Sequence, residues 1–185
     1  MVTVPRIAAV SCLSTMPFIH GIRHEGNFRA ELLLSPDPDS VIQDFLSRKA
    51  DIALVPALAV QLLADARMVT EYCVGGVPSC REGLLASSDP LVEGWKDYGE
   101  LPFAFAVWVA RKGTPYEVTD ALEEALTFGV ERIYEAVQQS DYRDRPYAYD
   151  YLTRNIDFLF DNEKRKALQK FWTSGVKVTP LVEPG

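Results

Sequence analysis

Arg6-Ile7-Ala8-Ala9-Val10-Ser11-Cys12-Leu13-Ser14-Thr15-Met16-Pro17 is the stretch on which the fold turns. Residues 7–10 have the apolar character of a strand buried on both faces, and Pro17 suits the first turn of a helix. Small polar residues lie between them, so the stretch reads as strand, turn, helix. In an α/β sheet, ligands bind outside the carboxyl ends of such strands. There the following helix offers unpaired N–H groups and its positive dipole end to an anion. Ser11, Ser14 and Thr15 add hydroxyl donors at that corner, which makes them candidate partners for a carboxylate or phosphate. The plainer reading stands beside this one, because Ser or Thr ahead of Pro is also an ordinary helix start.

Outward from this stretch, Pro17 to Arg23 predicts a short helix with His20 and His24 one turn apart. Glu31 to Leu34 predicts a second strand. Asp39 is placed as the cap of a helix whose Val41, Ile42, Phe45 and Leu46 share one face. Asp51 to Pro56 reads as a third buried strand, followed by a helix-like run, Ala57 to Ala64. This βαβαβα order calls for a parallel sheet with right-handed crossovers. Met68 to Val74 and Gly83 to Ser87 predict further strands around the Gly75-Gly76 pair, a turn signal that allows close backbone approach to a ligand. Phe103 to Ala110 is a strongly apolar strand in which Trp108 is a packing residue. Beyond it the chain reads as helical. One helix starts at Thr119 or Asp120 and runs past Val137, a second covers Tyr147 to Asn155, and a third is capped by Asp161 and ended by Gly175. The expected fold is α/β, a mostly parallel sheet covered by helices on both faces, in one unit spanning residues 1–175 with a surface tail at 176–185.

Composition excludes several classes of function. Nineteen basic against twenty-six acidic residues leave a net charge of −7, and no Lys/Arg cluster interleaves with aromatics. A nucleic-acid surface is therefore not expected. Cys12, Cys73 and Cys80 show neither the pairing of a disulfide framework nor C-x-x-C spacing. His20 and His24 are the only histidines, and a metal site would need a third and fourth ligand, so no metal is expected. No apolar stretch approaches eighteen residues and the N-terminus has no signal-peptide core, so the expected setting is a reducing cytoplasm without membrane partners.

Five motifs carry a resemblance to a known family: Ala9 to Gly21, Ala50 to Pro56, Glu71 to Gly75, Leu101 to Arg111 and Tyr149 to Ile156. Together they resemble the chorismate dehydratases of the futalosine route to menaquinone. The resemblance implies the fold of type 2 periplasmic binding proteins, two α/β lobes with the ligand between them, of which this chain matches the first. It also implies a carbon–oxygen lyase activity without metal or organic cofactor, the loss of water from chorismate to give 3-enolpyruvyloxybenzoate. A small anionic ligand of the chorismate class is the partner expected on this basis. The candidate ligand-binding set is then Ser11, Ser14 and Thr15, with Val55 and Pro56 at the end of the third strand and Gly76 in the glycine pair.

The chain departs from the family pattern at three places. Where the family has Tyr-Leu-Asn-Thr, this chain has Cys12-Leu13-Ser14-Thr15, so a side-chain amide acting on the substrate becomes the shorter hydroxyl of Ser14. Glu82 aligns with a family Ser or Thr that faces the ligand, and Ser14 and Glu82 are accordingly the candidate catalytic residues. An ionised Glu82 about 4 Å from a ligand carboxylate would repel it by about 4 kcal/mol at an effective dielectric near 20, unless a salt bridge from Arg81 relieves it or Glu82 faces solvent. The third departure is the second lobe, on the order of 100 residues. It is expected near 89–100 and is replaced by a short connection. A one-walled cleft neither excludes water nor holds a substrate from both sides, so the shortened chain predicts weak catalysis or none. Two alternatives to the lyase follow: a one-lobe module that binds small carboxylates without chemistry, and a homodimer formed through the exposed lobe face.

Overall fold

The computed structural model of the chain describes residues 4–77, 89–93 and 104–173. The expected strand at 83–87, residues Cys80, Arg81 and Glu82, most of the 89–99 connection and the tail 176–185 lie outside the described residues. β1 (Arg6–Val10) passes through a 3-10 turn (Leu13–Thr15) into α1 (Met16–His24), and β2 (Glu31–Ser35), α2 (Pro38–Leu46) and β3 (Ile52–Pro56) follow. A second 3-10 turn, Ala57–Leu62, leads to β4 (Ala66–Gly76), then to α3 (Pro90–Glu93) and β5 (Ala104–Arg111). The remainder is α4 (Tyr116–Val130), α5 (Ile133–Gln138), α6 (Arg145–Asp150), a π-helical turn Tyr151–Asn155, β6 (Ile156–Leu159) and α7 (Asn162–Thr173).

The strands form a six-stranded sheet in the order β2-β1-β3-β5-β4-β6. β1 pairs parallel with both β2 and β3, whereas β5 lies antiparallel between β3 and β4, and β6 antiparallel beside β4. β1, β2, β3 and β4 thus run one way, and β5 and β6 the other. The continuous apolar runs occupy the middle: every residue of β3 and residues 104–110 of β5 are buried. Strands covered on both faces need no polar alternation. The edge strand β2 has no fully buried residue. Because β1 leads outward to β2 and β2 leads back past it to β3, right-handed crossovers put α1 and α2 on opposite faces, with a switch point beyond the carboxyl ends of β1 and β3. Phe18 of α1 packs edge-on against Trp108, Phe158 and Tyr72, with centroids 5.7, 5.2 and 6.3 Å away, which makes Trp108 a core residue.

Several elements differ from the sequence expectation for local reasons. α2 is capped by Asp37, whose Oδ1 accepts from the Ser40 N–H at 2.8 Å with Pro38 in its first turn, so Asp39 lies inside the helix. Residues 57–62 form 3-10 structure without a side-chain cap in place of the expected helix-like run to Ala64. The long helix expected through Val137 breaks at Arg132, with φ −127° and ψ 42°, into α4 and α5. The helix expected over 147–155 is capped by Asp144, begins at Arg145 and ends in the π turn. The sequence reading missed β6, whose Ile156 and Phe158 alternate with Asp157 and Leu159 as a half-buried strand requires. Asp161 does cap α7, its Oδ1 accepting from the Lys164 N–H at 2.9 Å.

Candidate functional site

The turn after β1 is held by its own hydroxyl. Thr15 Oγ1 donates toward the Val10 carbonyl at 2.6 Å and the Cys12 carbonyl at 3.0 Å, and accepts from the Cys12 N–H at 3.2 Å. Thr15 and Ser14 are both fully buried. Ser14 Oγ lies 3.4 Å from Cys12 Sγ. Ser11 is exposed at the mouth of the turn, its N–H bonded to the Ser35 carbonyl at 2.9 Å. Val55, Pro56 and Gly76 are buried at the carboxyl ends of β3 and β4. Of the candidate ligand residues, Ser11 is the one whose side chain stands exposed. Glu82 lies outside the described residues.

A carboxylate sits against this turn. Asp89, buried, brings Oδ1 to 3.8 Å from Cys12 Sγ and 3.0 Å from the Leu91 N–H, and its Oδ2 accepts from the Tyr151 hydroxyl at 3.4 Å. The Asp89-Pro90 pair opens α3 as Asp37-Pro38 opens α2, a side-chain oxygen satisfying an N–H of the first turn. The π turn supplies Tyr151. A small cavity of about 220 Å3 remains here, walled by Asp89, Tyr142, Tyr147 and Tyr151 beside Cys12 and Leu13. Burial, reinforced by the negative charge of Asp89, pushes the Cys12 thiol up to about 11 against hydrogen bonds from Ser14 and Thr15, so it is protonated and a poor nucleophile at neutral pH.

On the other side of the turn lies a cavity of about 660 Å3 between α1 and α5. One face of α1 lines it: Met16, Ile19, His20, Arg23 and His24, at the i, i+3, i+4, i+7 spacing of a single helical stripe. Its opposite face, with Pro17, Phe18, Gly21 and Ile22, is buried. Leu13, Leu34 and Ala136 complete an apolar floor, and Ser11, Gln139, Ser140, Asp141 and Tyr142 supply polar groups. The His20 and His24 rings lie with centroids 4.5 Å apart and planes tilted by 39°. Burial and the charge of His24 lower the His20 pKa from 6.5 against the opposite pull of Glu135, so its ring is neutral at pH 7. Arg23 is exposed and makes no hydrogen bond or ion pair among the described residues. No group of three or more His, Cys, Asp or Glu side chains among the described residues is placed to hold a metal, and no helix there is long and apolar enough to cross a membrane.

Sequence reasoning missed Arg23, Asp89 and Tyr142. The stripe that carries Arg23 was legible in the 3.6-residue period, and Asp89-Pro90 was legible as a helix start. The meeting of Asp89 and Tyr142 beside Cys12 depends on tertiary packing.

This sheet, with helices around it, has a periplasmic-binding-protein-like fold. A structural genomics protein from Archaeoglobus fulgidus superposes with a TM-score of 0.64 at 15% identity, covering 91% of this chain and 95% of the other. A Candida albicans protein described as having the generic periplasmic binding protein fold gives 0.60 at 10% identity, covering 95% and 92%. The zinc-bound ligand-binding component of an ABC-type import system from Staphylococcus aureus gives 0.62 at 9% identity, covering 93% and 91%. No curated protein matches the chain. A family model described as menaquinone biosynthesis matches residues 81–177, over half of the chain, and the chain belongs to that family, which is the chorismate dehydratase family.

Proposed function

We propose that the chain acts as a chorismate dehydratase-like protein at the level of recognition. It takes a small organic acid of the chorismate class into the cavity between α1 and α5, and turns it over slowly or not at all on its own. The observation that carries this reading is the cavity itself. At about 660 Å3 it falls within the range of small-molecule sites, with an apolar floor and a few convergent polar groups at the carboxyl end of β1. Family membership supplies the chemical class of the ligand.

The same site argues for weak chemistry. Loss of water from chorismate needs a group to take a ring proton, a group to assist the departing hydroxyl and a pocket that excludes solvent. Ser14 is buried beneath Cys12 and does not line the cavity, and the exposed Ser11, Arg23 and His24 leave that cavity in contact with water. On this reading the chain is a single lobe over residues 1–175, with one wall of the cleft. Calorimetric titration with chorismate, run alongside chromatographic assay of the same mixture, tests it. Saturable one-site binding with chorismate recovered unchanged is expected. Absence of binding overturns the recognition half, and turnover at the rate of a two-lobe family member overturns the other.

A further inference from the structure

We infer that Arg23, at the last turn of α1, is the anchor for the ligand's carboxylate. The acid then lies along the α1 stripe with its carboxylate away from the turn after β1. The inference rests on the reading that the cavity between α1 and α5 takes an organic acid, and it moves the anion from the predicted seat to the far end of that cavity.

The predicted seat is already filled. Ser14 and Thr15 have no exposed surface, the Thr15 hydroxyl is used three times over in closing the turn, and the Asp89 carboxylate is packed against Cys12 and Tyr151. A second carboxylate there would have to displace Asp89 or lie against it. Arg23 has the opposite character: it is among the residues that line the cavity, and it spends none of its donors on the described residues. Arg132 and Arg145 are engaged. Arg132 stacks over the Phe128 ring at 3.8 Å and donates to the Phe128 carbonyl, and Arg145 donates to the Ser140 carbonyl. A guanidinium offers a planar fork that grips a carboxylate through two parallel hydrogen bonds.

The cavity has a direction. Tyr142 walls both cavities together with Cys12 and Leu13, so the 139–142 side lies at the turn, and Arg23 and His24 lie at the other end of α1. From Met16 to Arg23 the stripe rises about 10 Å, at 1.5 Å per residue. Met16 and Ile19 lie along that span, and Leu34 and Ala136 line the same cavity. The occupant that fits is an aromatic or alicyclic acid with its carboxylate on Arg23, its ring on the apolar floor and a hydroxyl or ether oxygen toward Ser11 and Ser140. Asp141 lines the cavity on the 139–142 side, where its carboxylate can accept a hydrogen bond from a ring hydroxyl.

Calorimetric titration of the full chain with chorismate, benzoate and benzamide, on wild type and on Arg23→Gln and Arg23→Lys, tests this. Loss of a charge-assisted pair predicts about ten- to hundredfold weaker binding of both acids by R23Q, partial recovery in R23K and no change for neutral benzamide. The melting temperature should not move, since Arg23 is exposed and holds no partner among the described residues. R23Q binding the acids as tightly as wild type overturns the anchor and leaves the organic-acid reading standing. Arg23-dependent binding of benzoate without any binding of chorismate supports the anchor and removes chorismate from the reading. Wild type binding neither acid overturns both.

Discussion

Thr15 shows how one hydroxyl can decide the use of a turn. Its three short contacts join the end of β1 to the start of α1, and they withdraw from ligand binding a residue whose chemistry and position pointed to it. Thr15→Val keeps the shape and leaves the Val10 carbonyl and the Cys12 N–H without this partner. A loss of about 1–3 kcal/mol in urea unfolding is expected, with Thr15→Ser close to wild type. What the sequence revealed here was the presence of donors at a strand end. Whether they face a ligand or their own backbone depends on the distance across the turn, which residue type alone does not fix. Asp89 illustrates the same limit: its role as a helix cap is local and readable, whereas its contact with Cys12 joins residues 77 positions apart.

At the scale of elements, α1 and α4 cross in close backbone contact on the face of α1 turned away from the cavity. A Cβ added at Gly21 would lie 2.0 Å from the Ala125 carbonyl oxygen, and one at Gly129 would lie 1.9 Å from that of Pro17. These are backbone atoms, so the helices would have to part. Gly21→Ala or Gly129→Ala should each cost about 2–3 kcal/mol or more, even after the better helix propensity of alanine is counted. Gly26→Ala, which meets nothing within 4 Å, is the matched control, and denaturant midpoints of the three variants check the ranking. The early βαβαβ half was legible because its strands are continuous apolar runs and its helices amphipathic. The later half was harder: β6 is four residues long behind a π turn, too short for its alternation to stand out. The antiparallel entry of β5 between β3 and β4 is a long-range pairing that no local pattern announces.

For the molecule as a whole, a net charge of −7 means that no general field draws an organic acid in, and recognition must come from a local site. The α/β class and the family were legible from motifs strung along the chain. The location of the cavity was not, because it depends on α5 and on the 139–142 segment closing over α1. The central claim is that this cavity, between one face of α1 and the end of α5, receives a small organic acid. An amide NMR titration of the labelled protein with chorismate locates the ligand directly. Saturable shifts at Ser11, Ile19, Arg23, Leu34 and Ala136 are the predicted result, and saturable shifts confined to other faces, or none at all, would contradict the account.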